Sequence, residues 1–242
     1  MSRRRVVVTG LGALTPNGND LYSFWDALVN GRSGIGPITK FDASGHRARI
    51  AGEIKDFDPE SALDRKDVRR NDPFTHYAMY VGLQAVAHAG LDMEAVDAER
   101  VGVIWGSGIG GITTHEKQHT ILMEKGPKRI SPFYVPMMIS DMAAGMISMV
   151  LGAKGPNYAT VSACSSASHA LGEAARKIQY DEADVMVTGG SEATVTSISI
   201  AGFASAKALS TRNDEPARAS RPFDAERDGF VLGEGAGGVV LE

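Results

Sequence analysis

Cys164 is the only cysteine among 242 residues. It stands in "ATVSACSSASHALG" (159–172), where a β-prone run gives way to small residues. A thiolate is a strong nucleophile, and a helix N-terminus favours it through unpaired N–H groups and a positive dipole end. Downstream, Ala167, Ala170, Leu171, Ala174, Ala175 and Ile178 recur at helical spacing, so a helix is predicted to begin just after the cysteine. Ser165, Ser166, Ala167 and Ser168 are small enough for a sharp turn into that helix. The pattern is that of a nucleophile elbow with cysteine in the place of serine. The bland alternative is a free cysteine acting as a small buried hydrophobe. Cys164 is expected at a strand-to-helix junction, largely shielded from solvent. His169, five residues on, is expected to face away from the thiol and is not assigned as its base. Glu173 and Lys177 are spaced to pair on the wet side of the helix.

Two other motifs carry weaker chemistry. "GSGIGG" (106–111) fits G-x-G-x-x-G, but no second strand with a closing acidic residue follows "ITTHEKQHTILMEKGPKRISP". A tight turn where backbone approaches a ligand or another chain suits it better. "HEKQH" (115–119) would place His115 and His119 one turn apart, with Glu116 as base. Lys117 disfavours a cation there, and no third histidine lies close, so a solvated helix face is expected and no metal.

The elements that must position the cysteine follow from pattern. Runs at 5–10, 101–107, 158–163 and 185–190, with "GGVVLE" at 237–242, read as strands covered on both faces. Segments 20–31 and 72–90 read as helices, each opening on Asp and closing on Gly. Strands alternating with helices imply an α/β sheet. Segments 32–72 and 112–136 are expected to be loop-rich insertions over one end of it. "MMISDMAAGMISMVLGA" reads as a core helix with Asp141 in its interior, short of the roughly 18 uninterrupted apolar residues a membrane span needs. A net charge of -4 argues against nucleic acid. One cysteine excludes an intrachain disulfide and points to a reducing compartment, the cytoplasm.

The chain as a whole resembles the β-ketoacyl-[acyl carrier protein] synthases, nearest the type II elongating condensing enzyme of bacterial fatty acid synthesis. The resemblance rests on "VVVTGLGALTPNG", "GSGIGG", "ISPFYVPMMI", "SACSSASHALGEAARKI", "DVMVTGGSEA", "ALSTRND" and "SRPFDAERDGFVLGEGAGGVVLE", in order across residues 5–242. It implies a thiolase-like fold of two α/β halves in a homodimer, of which residues 1–242 are the first half, ending before its last elements. It implies no cofactor. Cys164 would take the acyl chain as a thioester, its N–H serving as one of two oxyanion donors. Ile109, Ala163 and Phe203 would line the acyl pocket, and Tyr134 would put a hydroxyl where an apolar aromatic is expected. The strand 158–163 would pair across the dimer. The family's two histidines, its lysine, its phenylalanine gate and its second oxyanion donor belong to the second half, so this chain alone is expected to be inactive.

The partner implied is an acidic acyl carrier protein, with neither nucleic acid nor membrane involved. Its docking residues would be Lys66, Arg69 and Arg70, which share a helical face, with Lys128, Arg129 and Lys207. The alternatives are a polyketide ketosynthase, a silent fragment or docking module, and, most distantly, a Rossmann oxidoreductase.

Overall fold

The computed structural model describes residues 4–242. In chain order the elements are β1 (Val8–Leu14), α1 (Leu21–Val29), β2 (Gly36–Pro37), β3 (Ile50–Ala51), α2 (Arg65–Arg70), α3 (Pro73–Ala89), β4 (Val101–Gly106) and α4 (Ile112–Lys125). There follow α5 (Tyr134–Met138), α6 (Met142–Leu151), β5 (Asn157–Thr160), α7 (Ser166–Gln179), β6 (Val185–Glu192), α8 (Ser197–Ser205), α9 (Pro216–Ala219) and β7 (Gly235–Leu241). Five strands form one sheet in the order β1-β7-β6-β4-β5. β4 is parallel to β5 and β6, while β7 is antiparallel to β6 and β1.

The pleat of β4 divides the core. Val101, Val103 and Trp105 pack under α3 and α6 beside Phe74, Val81 and Ile147. Ile104 turns to the opposite face, where Ala170, Ala174 and Ile178 of α7 meet it and Met186. Burying each large apolar side chain contributes about 1.5–3 kcal/mol, which is why the central strands are apolar on both faces. The helix signals hold: Asp20 and Asp72 cap α1 and α3 with their carboxylates, and Gly90 ends α3 in the left-handed conformation.

Several expectations shift. The first strand lies three residues later than the apolar run 5–10, because its ladder with β7 runs through Gly10 and Gly12. The strand before the cysteine ends at Thr160, and after Val161 and Ser162 the chain turns at Ala163. Asp141 interrupts nothing: it stands at the N-cap position of α6, in a short break after α5. The segment 112–136 is mostly α4 rather than loop, and 32–72 contains the β2–β3 pair and α2. That first insertion is tied to β7 by Glu234, which is buried and accepts from Ile54 N and from Lys40 Nζ at 2.6 Å.

Candidate active site

The turn between β5 and α7 holds Cys164. Ala163, immediately before it, has φ +52°, a left-handed conformation costing an alanine about 1–2 kcal/mol. Four hydrogen bonds hold it there. Ser165 N donates to Ser162 O (3.2 Å), and Ser166 N to Ala163 O (3.1 Å). The buried Ser166 hydroxyl donates to Ala163 O at 2.7 Å and accepts from Ser162 N at 2.9 Å. Thr160 Oγ1 adds a fifth tie, donating to Ser166 O at 2.8 Å.

Close packing sets the turn against the sheet. A side-chain carbon on Gly106 would meet Ala167 N at 2.6 Å, and one on Gly190 would meet the Ala167 methyl at 2.6 Å. Glycine at both positions lets the first turn of α7 rest directly on β4 and β6.

Cys164 is exposed, which corrects the expectation of a shielded thiol. β5 is the outer strand of the sheet, and no strand of the described residues pairs with its free edge. Val161 beside it is 62% exposed for the same reason. His169 does not serve the thiol: its Nδ1 is hydrogen-bonded to Ser162 Oγ at 2.6 Å. The expected Glu173–Lys177 pair is absent. Lys177 reaches Glu182 at 2.6 Å instead, and Glu173 takes Arg176.

The loop after β4 approaches the same turn. A carbon added at Gly108 would lie 3.3 Å from Ala163 O, so the loop that carries Ile109 runs beside the turn at Ala163. Glu192 at the end of β6 accepts from Gly108 N (2.7 Å), Ile109 N (3.2 Å) and Ser107 Oγ (3.0 Å). Behind it, the buried Asp72 accepts from Phe74 N and, at 2.7 Å, from Thr114 N at the start of α4. Burial pushes the Asp72 carboxyl up to about 6. In the sequence Asp72 read only as a helix cap, and Glu192 only as the acidic residue closing "VTGGSE". The partners that place them at this site, Thr114 and Gly108, lie 42 and 84 residues away.

Only part of "HEKQH" is a solvated face, which is a second correction: Lys117 and His119 are exposed, but the other three residues have partners in the fold. His115 Nδ1 is hydrogen-bonded to the Tyr134 hydroxyl at 2.8 Å, Gln118 is buried against Ser131 N, and Glu116 accepts from Ile198 N. α5 and the loop after β4 are also in contact, Gly111 N donating to Met138 O. Phe203, on α8, is edge-on to Phe230 at 5.5 Å and packs with Ile200, Leu209 and Leu232.

Of the basic residues, Lys66, Arg69 and Arg70 fall on α2. Arg70 stacks 4.9 Å above the Phe133 ring, four residues after Arg129 in the short 3-10 turn Pro127–Arg129. Lys207 is exposed at the turn after α8, with φ +56°.

Residues 3–242 match the family profile described as the N-terminal domain of beta-ketoacyl synthase. The chain belongs to the β-ketoacyl synthases. It is 54% identical over all 242 residues to 3-oxoacyl-[acyl-carrier-protein] synthase 2 of Synechocystis sp., and 50% identical to that of Coxiella burnetii. In both cases it spans 58% of the relative's length. Among solved structures it resembles a beta-ketoacyl synthase from Burkholderia phymatum, with TM-score 0.88, 32% identity and coverage of 100% of this chain and 59% of that one. The ishigamide ketosynthase/chain length factor gives TM-score 0.90 at 28% identity, again over 100% of this chain and 59% of that one. The fold is thus thiolase-like, as expected. No helix of the described residues is long and apolar enough to cross a membrane.

Proposed function

We propose that this chain is the nucleophile-bearing half of a condensing enzyme that elongates fatty acids in the cytoplasm. The Cys164 thiolate attacks the carbonyl of an acyl thioester on a carrier protein, the carrier's thiol leaves, and the acyl group rests on Cys164. Malonyl-carrier protein then loses carbon dioxide, its enolate attacks the Cys164 thioester, and the thiolate is released. The observation that carries this reading is the lone thiol at a strained strand-to-helix turn, in a chain of this family.

The remaining chemistry comes from groups outside these residues. Among the described residues His46, His76, His88, His115 and His169 are bonded to Ser197, Val68, Leu11, Tyr134 and Ser162, and His119 stacks on His115. None of these contacts involves Cys164. The open edge of β5, with a groove lined by Val161, Ser162, His169 and Arg176, suits pairing with a second copy. Ile109, Ala163, Tyr134 and Phe203 face the acyl chain in the assembled enzyme. The carrier docks on Lys66, Arg69, Arg70, Lys128, Arg129 and Lys207. A fatty-acid role is favoured over a polyketide one by 50–54% identity to the two synthases above, against 28% to the ishigamide protein.

The test is intact-mass measurement after incubation with acyl-loaded carrier protein. The full-length protein should gain one acyl group and its Cys164→Ala variant none. Equal gain in both overturns the assignment.

A further inference from the structure

The loop Ser107–Gly110 has no regular secondary structure; Ser107 N donates to Thr160 O, and the next two N–H groups converge on Glu192. Glu192 also accepts from the Ser107 hydroxyl, and that hydroxyl in turn accepts from Gly110 N at 3.1 Å. Successive backbone N–H groups around an anion form a nest, and here the protein supplies the anion itself. The loop's polar side is therefore turned inward to Glu192. Its one large apolar side chain, Ile109, is left 43% exposed beside the turn that holds Cys164. In the acyl-transfer reading above, Ile109 is one of the side chains that a hydrocarbon carried on that thiol would meet.

The spacing is tight. A carbon added at Gly108 would lie 2.8 Å from Glu192 Oε2, while its other neighbour is Ala163 O. The loop is thus seated between the carboxylate and the elbow, and a side chain at 108 would push the Glu192 carboxylate from its place.

We infer that Glu192 is a positioning residue that sets which acyl-chain lengths the site accepts. By holding the loop it fixes where Ile109 stands relative to Cys164. The inference rests on the acyl-transfer reading above. A glutamine in this place offers a single acceptor oxygen and turns an N–H₂ group toward the loop's donors, so the nest opens and Ile109 is released.

The experiment uses methyl, hexyl and dodecyl methanethiosulfonates, each of which transfers its alkylthio group to Cys164 and expels methanesulfinate. Rates are read by intact mass. In the native chain the dodecyl-to-hexyl ratio reports the space behind the thiol. In Glu192→Gln that ratio should move about tenfold, the scale of one lost hydrogen bond to a charged acceptor. Glu192→Asp, which keeps the charge, should return it part-way. Should Glu192→Gln fail to fold, Gly108→Ala displaces the same loop from the other side and should move the ratio likewise. A ratio that stays at its native value in Gly108→Ala and in whichever Glu192 variants fold overturns the inference. Acylation by carrier protein succeeds or fails independently of this ratio, so the two readings are separable.

Discussion

Replacing Ser166 by alanine tests whether the turn before Cys164 is held by the bonds described. The hydroxyl is 3% exposed and makes two bonds, to Ala163 O and from Ser162 N. Ala163 O keeps a partner in Ser166 N, but Ser162 N loses its acceptor. One lost hydrogen bond costs about 1 kcal/mol and an unpaired donor in a part-buried site about 1 kcal/mol more, so a loss of about 2 kcal/mol is expected. The Ser162 amide should then exchange with solvent roughly 30-fold faster, since about 1.4 kcal/mol is a factor of ten. Ala163→Gly in the same background should restore about 1 kcal/mol, because glycine adopts φ +52° without strain. Denaturant unfolding gives the first quantity and amide exchange the second. Unchanged Ser162 protection in Ser166→Ala, or no gain from glycine at 163, would refute the clamp.

Gly106→Ala should destabilise by about 3 kcal/mol, read by urea unfolding, because the new methyl meets α7 backbone and not a side chain that can turn away. An effect under about 0.5 kcal/mol would contradict the packing. Asp72 gives a pH signature: its folded value of about 6 exceeds the ordinary 3.8, so its stabilisation is complete below about pH 4 and lost as pH rises through 6. The stability of the native chain relative to Asp72→Asn should fall over that window by at most about 3 kcal/mol, at about 1.4 kcal/mol per unit, and a flat difference would count against it. Reversing Lys66, Arg69 and Arg70 to Glu should weaken carrier-protein binding at least about tenfold at low salt, and far less at high salt. Equal binding at low salt would remove the docking surface.

What the sequence made legible is what lies close along the chain. The elbow showed itself through the change from β-prone to small residues across six positions, and α3 through Asp72 at one end and Gly90 at the other. Exposure of the thiol did not show, since it depends on β5 being the outer strand, and strand order leaves no local trace. Local spacing also misassigned Lys177, because Glu182 beyond the helix end is a better-placed partner than Glu173 one turn back. Polar residues at α4 read as solvated because their partners, Tyr134, Ser131 and Ile198, belong to segments folded over them.

The place of β7 has a consequence for how the protein forms. Val8 pairs with Leu241, and β7 enters between β1 and β6. During synthesis β1 therefore leaves the ribosome with its sheet partner still unmade, and its hydrogen-bonding edge stays unmatched until nearly the whole of this stretch has been translated. Pairings of such long sequence separation close slowly. An unpaired strand left waiting is the kind of surface on which chains associate wrongly. The apolar packing of β1 on α3 can precede the ladder, since Leu14 and Val81 share one core cluster and α3 follows within the first 90 residues. Nascent chains halted before residue 235 should thus bind chaperones through β1, and release should coincide with the arrival of β7.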